Sequence, residues 1–325
     1  MLNRRHLLML ALAAGPLAAA PALAQAPFPS KQIRLIVPYP AGGPADVLSR
    51  LVAQSASETL GQQLVVDNRP GGNAAIGTDL LAKAEPDGHT IGLGSNQTHA
   101  TNQSLVPNLP HDPVRDMVPV SGGVAIQHAL VVRPDLEAKS AQELVAMAKA
   151  KPGVLNYGSS GNGSASHLAA ELFKTRTGTD IVHVPFKGAP PMVAELIAGR
   201  LDLSFATVPS VIGQIRAGQL RAIAVASPNR SDQLPDVPTL AEAGFPGAEA
   251  DAWFAFFAPA KTPPAAIQAL HAAIDKALRE PANQEKLVAI GFVPRPAPPE
   301  EVAAFLAPEA KKWAEVVKIS GATID

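Results

Sequence analysis

The hydrophobic positions of the chain alternate between short unbroken apolar runs and longer stretches in which apolar residues recur at helical spacing. The first run, at 35–37, is typical of a strand that is buried on both faces. Gly42 and Gly43 follow it, and Pro44 suits the first position of a helix whose apolar residues continue to Val52. The pattern therefore predicts a strand, a glycine loop and a helix N-terminus in succession.

Strands and helices keep alternating along the rest of the chain. Further strands are predicted at 63–66, 90–94, 124–132, 155–157, 181–185, 201–205, 220–226 and 253–258. Further helices are predicted at 78–84, 140–149, 190–197, 212–217, 264–278 and 299–319, with another that follows residue 167. This alternation predicts an α/β fold with mostly parallel sheets flanked by helices. Ligands of such sheets bind at the carboxyl ends of the strands.

A second glycine loop, GSSGNGSASH at 158–167, repeats the arrangement of the first. Tyr39 and Tyr157 are the only two tyrosines of the chain, and each ends a predicted strand before a glycine loop and a helix. A helix N-terminus presents unbonded N–H groups and a positive dipole end, so such a loop attracts an anion. The alternative is a tight connection of the kind found in any α/β protein. Two such loops, one in each half of the chain, would suit a cleft between two domains.

The N-terminal residues have the features of an export signal. Arg4 and Arg5 precede an apolar run at 7–14 that is too short to span a bilayer. Small residues at Ala22 and Ala24 suit a cleavage site, which predicts a signal peptide at 1–24. The arginine pair permits either the Sec or the twin-arginine route, and a retained anchor is the alternative. Export without any cysteine fits a bacterial periplasm.

Composition excludes several classes of function. The chain has 325 residues, enough for two domains, and its formal net charge of −1 does not favour nucleic acid or an anionic membrane surface. The absence of cysteine excludes disulfides, thiolate zinc sites and cysteine nucleophiles. We predict no membrane insertion once the signal peptide is cleaved.

The serine- and glycine-rich second loop does not complete an enzyme motif. The sequence GSSGN at 158–162 departs from G-x-S-x-G at its last position. The dinucleotide motif G-x-G-x-x-G fails because Ser166 stands at its last position, and neither a phosphate-binding loop nor a His-Glu-x-x-His helix occurs. We therefore predict no catalytic residue, no metal and no cofactor.

Several segments together identify a family. They are IRLIVPYPAGGPAD, VVDNRPGGNAAIG, AEPDGHT, YGSSGNGSASHLAAELF, HVPFKGAPP, LRAIAVAS, LPDVPTLAEAGFPG and KKWAEVVK, in this order. With them the mature chain resembles, nearly end to end, the substrate-binding proteins of tripartite tricarboxylate transporters, the Bug family. The resemblance implies a two-lobed periplasmic-binding-protein fold of the second type, with the ligand cleft between the lobes.

The resemblance also implies a site and partners. In that family a ligand carboxylate is held by backbone N–H groups and waters of two loops, which match 39–46 and 159–167 here. The expected ligand-binding residues are Tyr39, Ala41, Gly42, Gly43, Asp46, Asn96, Thr98, Ser159, Ser160, Gly161, Gly163, Ser164, His167, Lys187, Gly188, Ala206 and Thr207. The expected partners are a small carboxylate and the permease subunits of the transporter, and the protein is expected to be a monomer. A binding protein that serves a signalling receptor, or an enzyme acting on a carboxylate, are the alternatives.

Domain boundaries and ligand class follow as further expectations. One domain should comprise 25–122 with 230–325 and the other 123–229, with hinges at Gly122-Gly123 and near Ser227. Phe186 stands where tyrosine is usual in the family, and Ala206 where an aspartate or asparagine is frequent. Both differences favour a plain, partly apolar or aromatic carboxylate over an amino acid.

Overall fold

The computed structural model describes residues 28–320 and 322–324, so the signal peptide predicted at 1–24 lies outside the described residues. The strands are β1 (Ile33–Val37), β2 (Leu64–Asn68), β3 (Thr90–Ser95), β4 (Met117–Ile126), β5 (His128–Val132), β6 (Asn156–Ser159), β7 (Val182–Pro185), β8 (Leu203–Thr207), β9 (Arg221–Val225), β10 (Ala252–Pro259) and β11 (Phe292–Pro294). The helices are α1 (Pro44–Leu60), α2 (Ala75–Ala82), α3 (Asn102–Leu105), α4 (Ala141–Ala150), α5 (Ala165–Thr177), α6 (Ala189–Ile197), α7 (Val208–Arg216), α8 (Pro264–Arg279), α9 (Pro281–Ala289) and α10 (Pro299–Ser320). A π-helical turn, Gln97–Thr101, leads directly into α3.

Two sheets organise these elements. The first sheet has six strands in the order β11-β4-β10-β3-β1-β2, and the second has five in the order β7-β6-β8-β5-β9. In the first, β1 is parallel to β2 and β3. In the second, β6 is parallel to β7 and β8. The predicted α/β fold with two lobes is confirmed, since each sheet carries its own helices and apolar clusters.

The sheets are mixed rather than mostly parallel. Strand β10 returns from the second half of the chain and runs antiparallel between β3 and β4. Strand β5 likewise runs antiparallel to β8 and β9. Each sheet therefore combines a parallel unit built from strand–helix alternation with strands supplied by the connections between the sheets.

The single strand predicted at 124–132 is two strands that belong to different sheets. Strand β4 ends at Ile126 and β5 begins at His128, so the chain passes from the first sheet to the second at Gln127. Gly122 lies inside β4, where an added Cβ would be 2.5 Å from the carbonyl oxygen of Arg295. Glycine at this position allows a close backbone approach, so it does not mark the end of the strand.

The last helix, α10, contacts both sheets. Near its start, Val302 and Leu306 belong to a cluster with Phe257 of the first sheet. Further along, Trp313 is fully buried in the core of the second sheet. The sequence predicted that the C-terminal helices would belong to the first lobe, whereas the second half of α10 packs against the other one.

Three elements were not predicted, namely the helical segment 97–105, α9 and β11. The segment 97–105 contains mainly polar residues, and most of their side chains are buried. Within the part of the chain that the structure describes, no helix combines the length and hydropathy needed to span a membrane.

Candidate functional site

A cavity of about 1030 Å³ lies between the two sheets. From the first sheet it is lined by residues at or after the ends of β1, β2 and β3, and from the second by residues that follow β6 and β7 and by the last residue of β8. All six strands belong to the parallel units, so the cavity lies at their carboxyl ends, where α/β proteins bind ligands.

The first loop, residues 39–46, is held in shape by a buried carboxylate. The N–H of Gly42, whose φ is +80°, donates to Asp46 Oδ2 at 3.0 Å, and Arg50 Nε donates to the same oxygen at 3.0 Å. Burial raises the pKa of Asp46, but hydrogen bonds from Arg50, Gly42 and Asn68 outweigh it, so the pKa lies below its usual range. Asp46 is therefore ionised and stabilises the conformation of the loop from beneath, and it does not line the cavity.

The start of α1 presents backbone donors to the cavity. Gly43 is the N-cap, and among the described residues no side chain caps the first turn. Pro44 has no N–H, so the N–H groups of Ala45 and Asp46 are the first that the helix cannot pair internally. Gly43, Pro44 and Ala45 line the cavity, so these donors and the positive end of the helix dipole lie beside it.

The second loop, residues 159–167, is shaped by its own serines. The N–H of Gly161, with φ of +134°, donates to Ser159 Oγ at 3.2 Å. The N–H of Ser160 donates to Ser166 Oγ at 2.9 Å. Ser164 caps α5 because its hydroxyl accepts from the N–H of His167. These bonds fix a loop whose residues Ser160, Gly161, Ser164 and Ser166 line the cavity at the start of α5.

Two neutral histidines support the second loop from behind. His167 Nδ1 accepts from the N–H of Gly163 at 2.9 Å, and its ring stacks on His183 with centroids 4.0 Å apart. His183 Nε2 lies 2.7 Å from Ser159 Oγ. Burial lowers the pKa of both histidines to about 4, with Lys174 adding to the effect on His167. Both rings are therefore neutral at physiological pH and position the loop.

Tyr39 connects the first loop to the segment after β3. Its hydroxyl lies 2.6 Å from Ser95 Oγ, and Ser95 Oγ accepts from the N–H groups of Gln97 and Thr98. Burial raises the pKa of Tyr39 far enough to keep the phenol protonated. Asn96 lines the cavity, and its buried Nδ2 has no partner within the described residues.

Lys187 is the only charged side chain among the described residues that line the cavity, and it is exposed. The remaining polar groups there are backbone amides, side-chain hydroxyls, side-chain amides and the neutral imidazole of His128. An anion in this cavity would be held by dipoles and hydrogen bonds, without a buried counter-ion.

Comparison with known proteins identifies the family. A model described as the tripartite tricarboxylate transporter family receptor matches residues 48–322. The chain belongs to this family. Protein BugT of Bordetella pertussis is 40% identical over 298 residues, which cover 91% of each chain.

Solved structures similar to this chain have the same fold. A Rhodopseudomonas palustris protein, Rpa4515 with adipate, is 36% identical with a TM-score of 0.88, covering 91% of this chain and 99% of that one. MatC of the same organism, with bound malate, is 31% identical with a TM-score of 0.84, covering 89% and 100%. Family membership confirms the predicted resemblance and a binding protein in place of an enzyme.

The receptor brings nine of the seventeen predicted residues to the cavity. They are Tyr39, Gly43, Asn96, Ser160, Gly161, Ser164, Lys187, Gly188 and Thr207. The other eight are not part of its lining. They are Ala41, Gly42, Asp46, Thr98, Ser159, Gly163, His167 and Ala206.

The inference drawn from Ala206 loses its basis in the structure. Its side chain is fully buried in an apolar cluster, opposite Ala129 in the sheet, so it cannot set the polarity of the cavity. Thr207, the next residue, lines the cavity because successive side chains of a strand point to opposite faces. Phe186 does line the cavity, so of the two differences from the family only Phe186 supports an apolar ligand.

Sequence reasoning missed a third glycine loop and several apolar residues of the receptor's cavity. The loop at 70–74 contains Gly71 and Gly72 and was not assigned to the site, although all five of its residues line the cavity. Ile126, Ala252 and Phe254 also line it, and in the sequence they were indistinguishable from core residues. Ile324, beyond the last helix, gave no sequence signal.

Proposed function

We propose that this receptor captures a small organic carboxylate in the cleft between its two lobes and delivers it to the membrane subunits of a tripartite tricarboxylate transporter. One observation carries the proposal. The uncapped start of α1 and the serine-rich start of α5 belong to different lobes and border one cavity. Among the described residues that line it, a single side chain is charged, and that side chain is exposed. Neutral donors of this kind bind an anion reversibly, as release to a permease requires.

The relatives support a carboxylate without identifying which one. The solved receptors named above contain adipate and malate, two acids that differ in length and polarity. In this chain, Phe186, Phe254 and Ile126 supply apolar surface to the cavity. This lining favours an acid with a hydrocarbon or aromatic portion over an amino acid.

We also propose that the lobes follow the predicted division, with the first crossing moved from 122–123 to Gln127. Sheet membership supports this change. An added Cβ on Gly188 would lie 3.3 Å from Pro40 Cγ, so parts of the two lobes lie close together across the cleft. A carboxylate held by both loops binds the closed form better and shifts the population towards it. X-ray scattering should show a smaller radius of gyration at saturating ligand.

The proposed location is the periplasm, reached through the predicted signal peptide by a route that the sequence leaves open. The proposed state is a monomer that docks transiently on the permease. Light scattering after size-exclusion chromatography tests the monomer, and a mass near twice that of one mature chain would contradict it.

Thermal-shift measurements followed by calorimetry test the ligand class. The panel should contain adipate, malate, succinate, benzoate and citrate, with aspartate and glutamate as amino-acid controls. A true ligand raises the melting temperature in proportion to occupancy. If no acid binds, the proposal is wrong. If an amino acid binds best, the inference from Phe186 is wrong.

Lys187→Ala separates the two means of holding the anion. If backbone dipoles dominate, the variant should lose less than about tenfold in affinity, because an exposed ion pair is worth only about 0–1 kcal/mol. A loss of a hundredfold or more would place a side-chain cation at the centre of recognition.

A further inference from the structure

The segment 322–324, which follows α10, packs against the site. Ile324 lines the cavity, and both Ala322 and Ile324 pack, partly buried, against the core of the second sheet. Thr323 between them is exposed. The alternation of packed and exposed side chains indicates a segment docked through one face.

This segment meets the second loop at Gly163. A Cβ added to Gly163 would lie 3.8 Å from Ile324 Cγ2 and 2.5 Å from Leu105 Cδ1. Leu105 ends α3, and the two residues that follow it, Val106 and Pro107, also line the cavity. Ile324 thus lies where the second loop approaches the segment that follows the first sheet's β3.

The chemistry of the cavity changes at this position. Ser160, Ser164 and Ser166 are hydrophilic and surround the start of α5, whereas Val106 and Ile324 are apolar. A carboxylate is stabilised by the serines and the helix N-terminus, and a hydrocarbon portion is stabilised by apolar side chains that exclude water. A ligand with both parts would use both sets of residues.

We propose that Ile324 is a specificity-determining residue of the cleft, which contacts the hydrocarbon portion of the bound acid and covers the backbone of the second loop at Gly163. The contact with the acid rests on the proposed function, whereas the covering of Gly163 does not. The residue would favour acids whose carbon chain is long enough to reach it.

Calorimetry with adipate and succinate tests the contact, since the two acids share their carboxylates and differ in chain length. Ile324→Ala should weaken adipate about five- to tenfold, as loss of a partly buried apolar side chain implies. Succinate should change less than about twofold. Thr323→Ala, the matched control in the same segment, should leave both affinities unchanged. Equal weakening of both acids, or no weakening of either, overturns the contact.

Hydrogen–deuterium exchange of the protein without added acid tests the covering of the loop separately. Ile324→Asp should speed exchange in peptides that span 158–168, whereas Thr323→Asp should not, and circular dichroism should show both variants folded. Unchanged exchange in Ile324→Asp overturns the covering. If the unaltered protein binds another acid of the panel but neither adipate nor succinate, the contact fails while the proposed function stands. If it binds no acid of the panel, both fail, and in either case the exchange data still decide the packing on Gly163.

Discussion

A single buried carboxylate links the two lobes through the only two tryptophans of the chain. Glu309 Oε2 accepts from Trp253 Nε1 at 3.0 Å and from Trp313 Nε1 at 2.9 Å. Trp253 belongs to a cluster on the first sheet, and Trp313 belongs to the core of the second. Exposed fractions of 9% for Glu309, 8% for Trp253 and 0% for Trp313 leave water little access to these bonds. We expect this residue to matter more for stability than any exposed glutamate of α10.

The expected cost follows from the two bonds. A hydrogen bond to a charged group contributes about 1.5–3 kcal/mol, so Glu309→Leu, which leaves two buried indole N–H groups unpaired, should cost about 3–6 kcal/mol. Glu309→Gln keeps an acceptor oxygen of the same shape but makes both bonds neutral, at about 0.5–1.5 kcal/mol each. The glutamine variant should therefore lose about half as much as the leucine variant. Either loss is large against a total stability of about 5–15 kcal/mol.

Guanidinium unfolding at constant pH measures these differences. Tryptophan fluorescence and far-ultraviolet circular dichroism should be recorded together, because a two-lobed protein need not unfold in one step. Glu315→Leu is the matched control, since Glu315 is exposed on the same helix. A loss below about 1 kcal/mol in Glu309→Leu, or equal losses in the leucine and glutamine variants, would refute the reasoning.

Three further predictions concern the loop and its titratable neighbours. Gly161→Ala should weaken carboxylate binding at least about tenfold, because the φ of +134° at this residue excludes a side chain. Gly178→Ala is the control, since Gly178 has a φ of +63° with open space around it, and it should lower stability without changing affinity. Equal affinities of the two variants by calorimetry would contradict this prediction. Burial lowers the pKa values of His167 and His183 to about 4, so both rings stay neutral from about pH 5.5 to 8. The affinity for a fully ionised acid should therefore be constant over this range, and a tenfold change in affinity centred near pH 6.5 would contradict the prediction. Burial raises the pKa of Asp251 to about 6, so the native state binds an extra proton and this group's contribution to stability is lost as pH rises from about 4 to 6. As the pH rises between those values, the free energy of unfolding of Asp251→Asn should therefore increase by about 2–3 kcal/mol relative to that of the unaltered protein. Urea unfolding at each pH measures both free energies, and a difference between them that stays constant with pH would refute the prediction.

The elements predicted best were those whose boundaries depend on local chemistry. Gly43 and Pro44 mark the start of α1, and Ser140 caps α4 by accepting from the N–H of Glu143. These residues act within one turn of the chain, so the sequence contains the information that places them.

The split of the apolar run at 124–132 could not be predicted because it depends on distant partners. Both β4 and β5 are largely buried, and only Gln127 and His128 separate their apolar residues, a polar pair that a single strand would also accommodate. Only the pairing of β4 with β10, and of β5 with β8, assigns the two halves to different sheets. Long-range pairing of this kind leaves no mark at Gln127.

The buried helical segment 97–105 escaped prediction for a related reason. Its polar side chains find partners inside the protein, such as Thr98 with His99, and Asn102 with the carbonyl oxygen of Asn73. A helix whose buried residues are polar has no apolar period to detect. The orientations of Ala206 towards the core and of Thr207 towards the cavity could not be predicted either. Both faces of β8 are buried as far as Ala206, so the sequence does not show which face meets the cavity.

The connections between the lobes are relevant to how the cleft could bind an anion and then release it. The chain crosses at Gln127, and near Ala226, whose carbonyl oxygen accepts from the N–H of Ala250 at 2.7 Å. Helix α10 makes a third link, anchored by the carboxylate of Glu309 to both tryptophans. We propose that the lobes rotate relative to each other about these links, which changes the distance between the first and second loops while the tryptophan contacts persist. The donors of the first and second loops belong to different lobes. Both sets can therefore bind the same carboxylate only when the loops are close. The same neutral donors exert no comparable attraction once the loops separate, since a helix dipole acts only within about its first turn.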